Sequence, residues 1–222
     1  MGIISVEQTD RLYWLGRYSE RVYTTLRLYS DSYDRLIDVE NYHYQEFCKR
    51  LDIPDVYGSV EGFKEKYPFD EEDMNSIISN LNRAYDNAIV LREEIGSETL
   101  SYIQLAIYDM HKAKVSRAPL IEMQSVIDNL LAFWGIADDS IDSEQIRNII
   151  KAGKRVERVD LYGRLRIGTP NLTREIHRLI PRIERSGMKF DKEGLIRLKN
   201  LVEGEEIDYY KVVYEIEHLL EV

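Results

Sequence analysis

The sequence predicts an all-α protein, a bundle of about seven or eight helices with two long central helices related by an internal repeat. Long segments carry apolar residues at alternating spacings of three and four, which is the period of a helix with one buried face. No segment shows the strict alternation of apolar and polar residues that is typical of a strand. Two segments separated by 137 positions also match each other, which indicates a duplicated element.

The opening segment predicts one long helix. Ser5 and Gln8 have the spacing of a capping box, in which each side chain accepts a hydrogen bond from the other residue's backbone N–H. Further aromatic residues surround the first half of this helix, which is therefore expected to be enclosed by other helices. The helical stripe that supports the prediction consists of Leu12, Leu15, Ser19, Val22, Leu26, Tyr29, Tyr33 and Leu36.

The following segments alternate between predicted helix and predicted loop. A second helix is expected over residues 39–52. Prolines and glycines from Pro54 to Pro68 then interrupt regular structure for about fifteen residues. Apolar residues with helical spacing resume from Asp70, are interrupted at Gly96 and Ser97 and continue to Met110, which indicates two helices or one bent helix.

The remaining helices have recognisable beginnings and ends. Pro119 suits the first turn of a helix that stops near Gly135. An acidic bend that ends at Ser143 precedes the next long helix, because side-chain oxygens there accept hydrogen bonds from free backbone N–H groups. Three shorter helices are predicted after it, over residues 171–184, 191–202 and 207–220.

The internal repeat joins two charged motifs on apolar helices. Residues 12–28 read LYWLGRYSERVYTTLRL, and residues 149–165 read IIKAGKRVERVDLYGRL. At 100° per residue the Gly, the Glu and the last Arg of each copy lie on one narrow strip of the helix, whereas Arg21 and Arg158 point away from it. The matched pairs are Gly16 and Gly153, Glu20 and Glu157, Arg21 and Arg158, Val22 and Val159, Arg27 and Arg164, and Leu28 and Leu165.

One interpretation of the repeat is structural. A glycine inside a helix costs about 0.5 to 1 kcal/mol relative to alanine, so two matched glycines suggest that another backbone approaches closely. If the two long helices cross about a pseudo-twofold axis, Glu20 reaches arginines of the second copy and Glu157 reaches those of the first. Such ion pairs neutralise charges that are costly to bury. The arginines concerned are Arg17, Arg21, Arg27, Arg158 and Arg164.

The alternative interpretation is catalytic. Glu20 and Glu157 are candidates for a general acid and a general base at the same position. The five arginines named above are then candidates for binding an anionic substrate. An open polar pocket between the two copies is expected in that case, so whether the protein is an enzyme stays open at the level of the sequence.

Composition narrows the remaining possibilities. The 222 residues are expected to form a single domain over 1–222, and the net charge of −10 argues against a nucleic-acid partner. Cys48 is the sole cysteine, which excludes a disulfide or a thiolate metal cage and indicates a small buried side chain. No segment approaches the roughly 18 apolar residues of a membrane span, so we expect a cytoplasmic protein with no membrane partner.

Two Glu-x-x-His pairs raise a remote alternative, a carboxylate-bridged metal protein. They are Glu40 with His43 and Glu215 with His218. Di-iron bundles use such pairs together with single glutamates on other helices. Both pairs lie near the ends of short polar segments, so coincidence is the favoured explanation and neither a bound metal nor a cofactor is expected.

The charged motifs resemble a known family. The opening L-Y-W-x-G-R-Y-x-E-R looks like the signature of the α-E family of bacterial all-helical proteins. Residues 87–98 are similar to its N-A-R-x-V-R-E-x-I-S-x-E segment, and residues 153–160 resemble its second G-R-x-x-E-R-A-D. The order and spacing agree from residue 5 to about residue 167. Lys154 stands where the family has arginine, and the helical part over residues 168–222 is shorter than the family pattern.

The resemblance to this family implies a function that the composition alone does not indicate. It implies a helical partner or accessory component of a bacterial peptide-ligating or peptide-modifying system, alongside an ATP-grasp enzyme and a transglutaminase-like peptidase. A protein partner is therefore expected, and a homodimer is possible. The competing hypothesis is an enzyme in its own right that uses Glu20 and Glu157.

Overall fold

The computed structural model describes residues 4–38, 43–204 and 206–220, and it describes side chains for all of these except residues 34–38. Eleven helices occupy the described residues: α1 Val6–Asp38, α2 Tyr44–Leu51, α3 Val60–Phe69, α4 Ile77–Val90, α5 Arg92–Ile95, α6 Ser97–Val115, α7 Pro119–Ser140, α8 Glu144–Arg164, α9 Thr169–Ser186, α10 Lys192–Glu203 and α11 Tyr209–Glu217. Extended pairing in this part of the chain is limited to one isolated antiparallel bridge, between Phe190 and Leu220. The predicted all-α class is confirmed.

The chain divides into two compact units. Residues 1–20 and 141–222 form one, called here the terminal unit, and residues 21–140 form the other, called the middle unit. Helix α1 contributes its first part to the terminal unit and its remainder to the middle unit. Both repeat cores, Gly-Arg-x-x-Glu at residues 16–20 and Gly-Lys-x-x-Glu at residues 153–157, therefore lie in the terminal unit.

In the terminal unit, α8 is the element against which other helices pack. Helices α9 and α11 both contact α8, and α10 contacts α9 and α11. Apolar side chains of α1 and α8 that lie at matched repeat positions are fully enclosed, including Leu12 with Ile149 and Leu15 with Ala152. The apolar stripe of α9 is buried as well, through Leu172, Ile176, Leu179 and Ile183.

The middle unit has a helical hairpin and an aromatic core. Helices α6 and α7 pack along each other, and α4 packs against α6. The Phe63 ring lies 5.0 Å from the ring of Tyr44 and 5.2 Å from that of Tyr67, measured between ring centroids. These aromatic side chains each bury a large apolar area, so they account for the packing of the short helices α2 and α3.

Several predicted helix ends are confirmed by their hydrogen bonds. The Ser5 N–H donates to Gln8 Oε1 at 2.9 Å, and the Gln8 N–H donates to Ser5 Oγ at 3.1 Å, which completes the capping box. Ser143 caps α8, because its side chain accepts from the Ile146 N–H. Pro119 occupies the first position of α7 as expected. The three helices predicted near the C-terminal end also agree with α9, α10 and α11.

The predicted break between Pro54 and Pro68 is wrong in its second half, because α3 forms there. Ser59 begins this helix by accepting a hydrogen bond from the Gly62 N–H at 2.9 Å. Pro68 lies in the last turn and cannot donate to the Lys64 carbonyl. The Tyr29 hydroxyl donates to that carbonyl instead, at 3.1 Å. A tertiary contact therefore satisfies the acceptor that the proline leaves unused.

The predicted interruption at Gly96 is confirmed, but three helices, rather than two or one bent helix, occupy the segment that begins at Asp70. Helix α4 begins only at Ile77, because Asp73 accepts from the Asn75 N–H in a local turn and Ser76 caps the helix. The helical path ends at Leu91 and again at Gly96, whose φ of 81° is not helical. These short helices raise the count to eleven from the predicted seven or eight.

Two further helix limits differ from expectation. Helix α7 continues through Gly135 to Ser140, because a glycine is tolerated on this exposed helix face and Ala137 beyond it is buried. The helix predicted over residues 39–52 begins at Tyr44, after His43, and residues 39–42 lie outside the described residues. None of the described helices is both long enough and apolar enough to cross a lipid bilayer.

Candidate functional site

The repeat copies meet at two glycines. A Cβ atom built on Gly16 would lie 2.1 Å from the Ile150 carbonyl oxygen, and one built on Gly153 would lie 2.1 Å from the Tyr13 carbonyl oxygen. Tyr13 and Ile150 are themselves related by the shift of 137, so the two contacts are equivalent. The predicted close crossing of two helix backbones is confirmed, and only glycine fits at either position.

The two buried glutamates exchange ion pairs across this crossing. Arg17 Nε donates to Glu157 Oε2 at 2.7 Å, and Arg158 Nε donates to Glu20 Oε1 at 2.6 Å. Both glutamate side chains are 0% exposed, whereas both arginine side chains are 15% exposed. Each copy therefore supplies the carboxylate for the other, as the structural interpretation of the repeat predicts.

The exchange is reciprocal but uses different motif positions. Arg17 precedes its own Glu by three residues, whereas Arg158 directly follows its Glu. The repeat equivalent of Arg17 is Lys154. Arg158 lies off the strip that Gly153 and Glu157 share, yet it reaches Glu20, because a long arginine side chain extends well beyond the direction of its Cα–Cβ bond.

The pKa of Lys154 and that of Arg17 shift in opposite directions, although both groups are buried beside a carboxylate. Burial lowers the pKa of Lys154 to about 7, although the nearby Glu20 carboxylate acts in the opposite direction. Burial acts to lower the pKa of Arg17 as well, but the attraction and hydrogen bond of Glu157, together with Tyr13 and Asp160, raise it overall. Arg17 also lies over the Trp14 ring, 4.9 Å from its centroid. Arg17 is thus firmly cationic, whereas Lys154 is close to losing its proton at neutral pH.

Asp160 extends the cluster and was not selected from the sequence. Arg164 Nε donates to Asp160 Oδ1 at 2.9 Å, and Arg17 Nη2 lies 3.9 Å from Asp160 Oδ2. Burial raises the pKa of this carboxyl group, and the nearby Glu157 raises it further. Arg164 also bonds to Glu217 of α11. The signal in the sequence was the aspartate that follows the second Glu-Arg pair by two residues.

Arg21 and Arg27 belong to the middle unit. Arg27 is exposed, and its guanidinium donates to the Tyr23 hydroxyl at 3.1 Å. Of the predicted arginines, Arg17, Arg158 and Arg164 are those that the terminal unit brings together with buried carboxylates. Whether any of the five binds a substrate stays a prediction.

A second charged cluster of the terminal unit had no counterpart in the sequence-based prediction. Glu175 of α9 is enclosed, and guanidinium groups from both α8 and α9 surround its carboxylate. The relevant signal in the sequence was the basic segment of residues 147–185, in which acidic residues are interleaved. Only the packing of α8 on α9 shows which of those charges converge.

The other candidate groups are engaged elsewhere. Glu215 Oε1 accepts from Arg197 Nε at 2.9 Å, and His218 Nδ1 lies 2.7 Å from the Tyr214 carbonyl oxygen. Glu40 lies outside the described residues, so its pairing with His43 is not tested. Within the described chain, no three His, Cys, Asp or Glu side chains are grouped so that they could hold a metal ion.

Cys48 agrees with the predicted small buried side chain. It is enclosed in the middle unit, and burial raises the pKa of its thiol to about 12. Because the thiolate is the nucleophilic form, this cysteine is unreactive near neutral pH.

The geometry defines an all-helical protein in which two copies of a Glu-Arg motif cross at paired glycines. A family model named Alpha-E, described as a predicted alpha-helical domain with a conserved ER motif, matches residues 8–169. The chain belongs to the Alpha-E family, and both of its Glu-Arg pairs lie inside the matched residues. No curated protein and no solved structure matched the chain.

Proposed function

We propose that this protein is a helical partner in a bacterial peptide-ligating or peptide-modifying system of the ATP-grasp and transglutaminase type, acting in the cytoplasm. Its membership of the Alpha-E family supports the proposal, since the resemblance that led to the family also implied such partners. The sequence contains no glycine-rich phosphate loop, no G-x-S-x-G motif and no H-E-x-x-H motif. A contribution through binding therefore fits the chain better than self-sufficient chemistry.

The burial of Glu20 and Glu157 is the observation that carries the proposal. A general acid or base has to come within hydrogen-bond distance of the proton that it transfers. Both side chains are fully enclosed, and each carboxylate accepts a hydrogen bond from an arginine of the other copy. These contacts are sufficient to explain the motif, because an ion pair that is shared between two helices specifies how they pack.

Recovery of native partners tests the proposal. The tagged chain, expressed at its natural level in the native host, is expected to enrich an ATP-grasp or transglutaminase-like protein, identified and quantified by mass spectrometry. The control is Gly16→Val, which is expected to disrupt the helix crossing and lose the partner. Enrichment of neither enzyme type over this control would remove the support for a partner role.

A further inference from the structure

The Glu175 carboxylate collects four arginines in the terminal unit. Arg178 Nη1 lies 3.1 Å, Arg174 Nε 3.7 Å and Arg158 Nη1 3.8 Å from its oxygens, and Arg155 bonds to it directly. Arg155 and Arg158 are one turn apart on α8, and Arg174 and Arg178 are one turn apart on α9. The packing of these two helices therefore builds the cluster.

The cluster carries more positive than negative charge. Glu175 neutralises one of the four guanidinium charges, and Glu20 neutralises a second through Arg158. The two remaining charges are those of α9, where the side chains of Arg174 and Arg178 are 54% and 53% exposed. A surplus of two cations therefore faces solvent beside an enclosed carboxylate.

The partly buried cations of α8 repel one another beside this cluster. The pKa of Arg155 is lowered by burial, and the charge of Arg158 lowers it further. Burial likewise lowers the pKa of Lys154, and the same two arginines act in that direction. A bound anion would offset both effects, because an opposite charge nearby favours the cationic form of each group.

We propose that Arg155, Arg174 and Arg178 form a binding site for a small polyanion that carries phosphate or carboxylate groups. Guanidinium groups present paired N–H donors in a planar fork, which matches the oxygens of both anion types. Glu175 accepts hydrogen bonds from Arg155 and Arg178, and Arg174 donates to Asn171 Oδ1 at 2.7 Å. This site is separate from the partner role proposed above, since it requires no second protein.

Binding of two simple probes to the full chain tests the site. Inorganic pyrophosphate and citrate are titrated by calorimetry at about 0.01 M salt, where screening is weak. Wild-type protein is expected to bind at least one probe with a stoichiometry of one. Binding of pyrophosphate alone indicates a phosphate-bearing ligand, binding of citrate alone indicates a carboxylate-bearing one, and binding of both indicates a site that selects by charge.

Two variants with the same change in net charge show whether binding is local. In Arg174→Gln/Arg178→Gln the affinity is expected to fall about 10- to 100-fold, because hydrogen bonds to charged groups are lost. The matched control is Arg185→Gln/Lys189→Gln, which removes two exposed positive charges elsewhere in the unit and is expected to bind like wild type. Both pairs are exposed, so both variants should fold.

Two outcomes would contradict the proposed anion-binding site. Failure of both probes to bind wild-type protein contradicts it, and so does an equal loss of affinity in the two double variants. If the Arg174→Gln/Arg178→Gln variant fails to melt cooperatively, Arg178→Gln alone replaces it, with an expected loss of about tenfold. Partner recovery in the native host is measured separately, so the two proposals fail independently.

Discussion

At the scale of single residues, the two buried glutamates depend on groups far away in the chain. Glu157 accepts from an arginine 140 positions away, and Glu20 accepts from one 138 positions away. Removal of one member of a buried ion pair leaves the other charge without compensation in a region of low dielectric. The energetic effect of a substitution therefore distinguishes a structural role of these glutamates from a catalytic one.

Glu20→Gln and Glu157→Gln are expected to destabilise the protein, each by about 2 to 4 kcal/mol, because each leaves an arginine without its carboxylate. Chemical denaturation followed by circular dichroism measures the change. The isosteric control is Glu184→Gln on the exposed side of α9, which is expected to change stability by less than about 0.5 kcal/mol. Unchanged stability with a lost activity would favour the enzyme hypothesis instead.

Lys154 makes the free energy of unfolding depend on pH, with the opposite sign to the dependence that a salt-bridged lysine produces. Its pKa is about 7 in the folded protein and about 10.4 in an unfolded chain. Between these values the unfolded chain binds more protons than the folded one, so the free energy of unfolding rises with pH. Stability contributed by this group is thus lost as the pH falls towards 7.

The comparison of wild type with Lys154→Met isolates the contribution of Lys154 to the pH dependence of stability. From pH 7 to about pH 8.5 the free energy of unfolding of wild type is expected to rise by about 1 to 2 kcal/mol relative to that of the variant. The control is Lys189→Met at an exposed position, whose difference from wild type should stay constant with pH. A constant difference for Lys154→Met as well would show that the lysine titrates normally.

At the scale of elements, the crossing of α1 and α8 depends on two missing side chains. Gly16→Ala and Gly153→Ala each place a Cβ atom 2.1 Å from a backbone carbonyl oxygen, which cannot rotate away. The helices have to separate, and we expect each substitution to cost about 3 kcal/mol. Urea denaturation of the purified variants measures this cost.

Gly135→Ala is the matched control for this pair. Gly135 lies inside α7, and a Cβ atom added there meets no other atom within 4 Å. Replacement by alanine is expected to stabilise the protein by about 0.5 to 1 kcal/mol, because alanine has the higher helix propensity. The double variant Gly16→Ala/Gly153→Ala should lose less than the sum of the single losses, since one separation of the helices relieves both clashes. Similar stabilities of the Gly16→Ala, Gly153→Ala and Gly135→Ala variants would contradict the close crossing.

The sequence predicts an element well where the element's own residues decide it. The capping box of Ser5 and Gln8 and the start of α7 at Pro119 are local features, and both agree with the structure. Helix α3 was missed, because its proline is accommodated through a hydroxyl of Tyr29 that lies 35 positions from its acceptor. A local sequence pattern cannot predict contacts between residues that are so far apart in the chain.

At the scale of the whole molecule, the internal repeat made long-range prediction possible. The shift of 137 positions indicated which backbones cross and which carboxylates exchange partners, and both expectations agree with the structure. The arginines around Glu175 were not predictable, since their convergence depends on the register between α8 and α9 rather than on repetition. The family could be recognised from the charged motifs, and the match of the Alpha-E family model to residues 8–169 confirms it.

The pairing of α1 with α8 also determines when this protein can finish folding. Arg17 leaves the ribosome long before Glu157, and at about 5 to 20 residues per second the interval is of the order of ten seconds. The residues of the middle unit are all synthesised during that interval. Contacts between distant positions must overcome the entropy of closing the intervening chain. The crossing of α1 with α8 therefore cannot form until α8 has been synthesised.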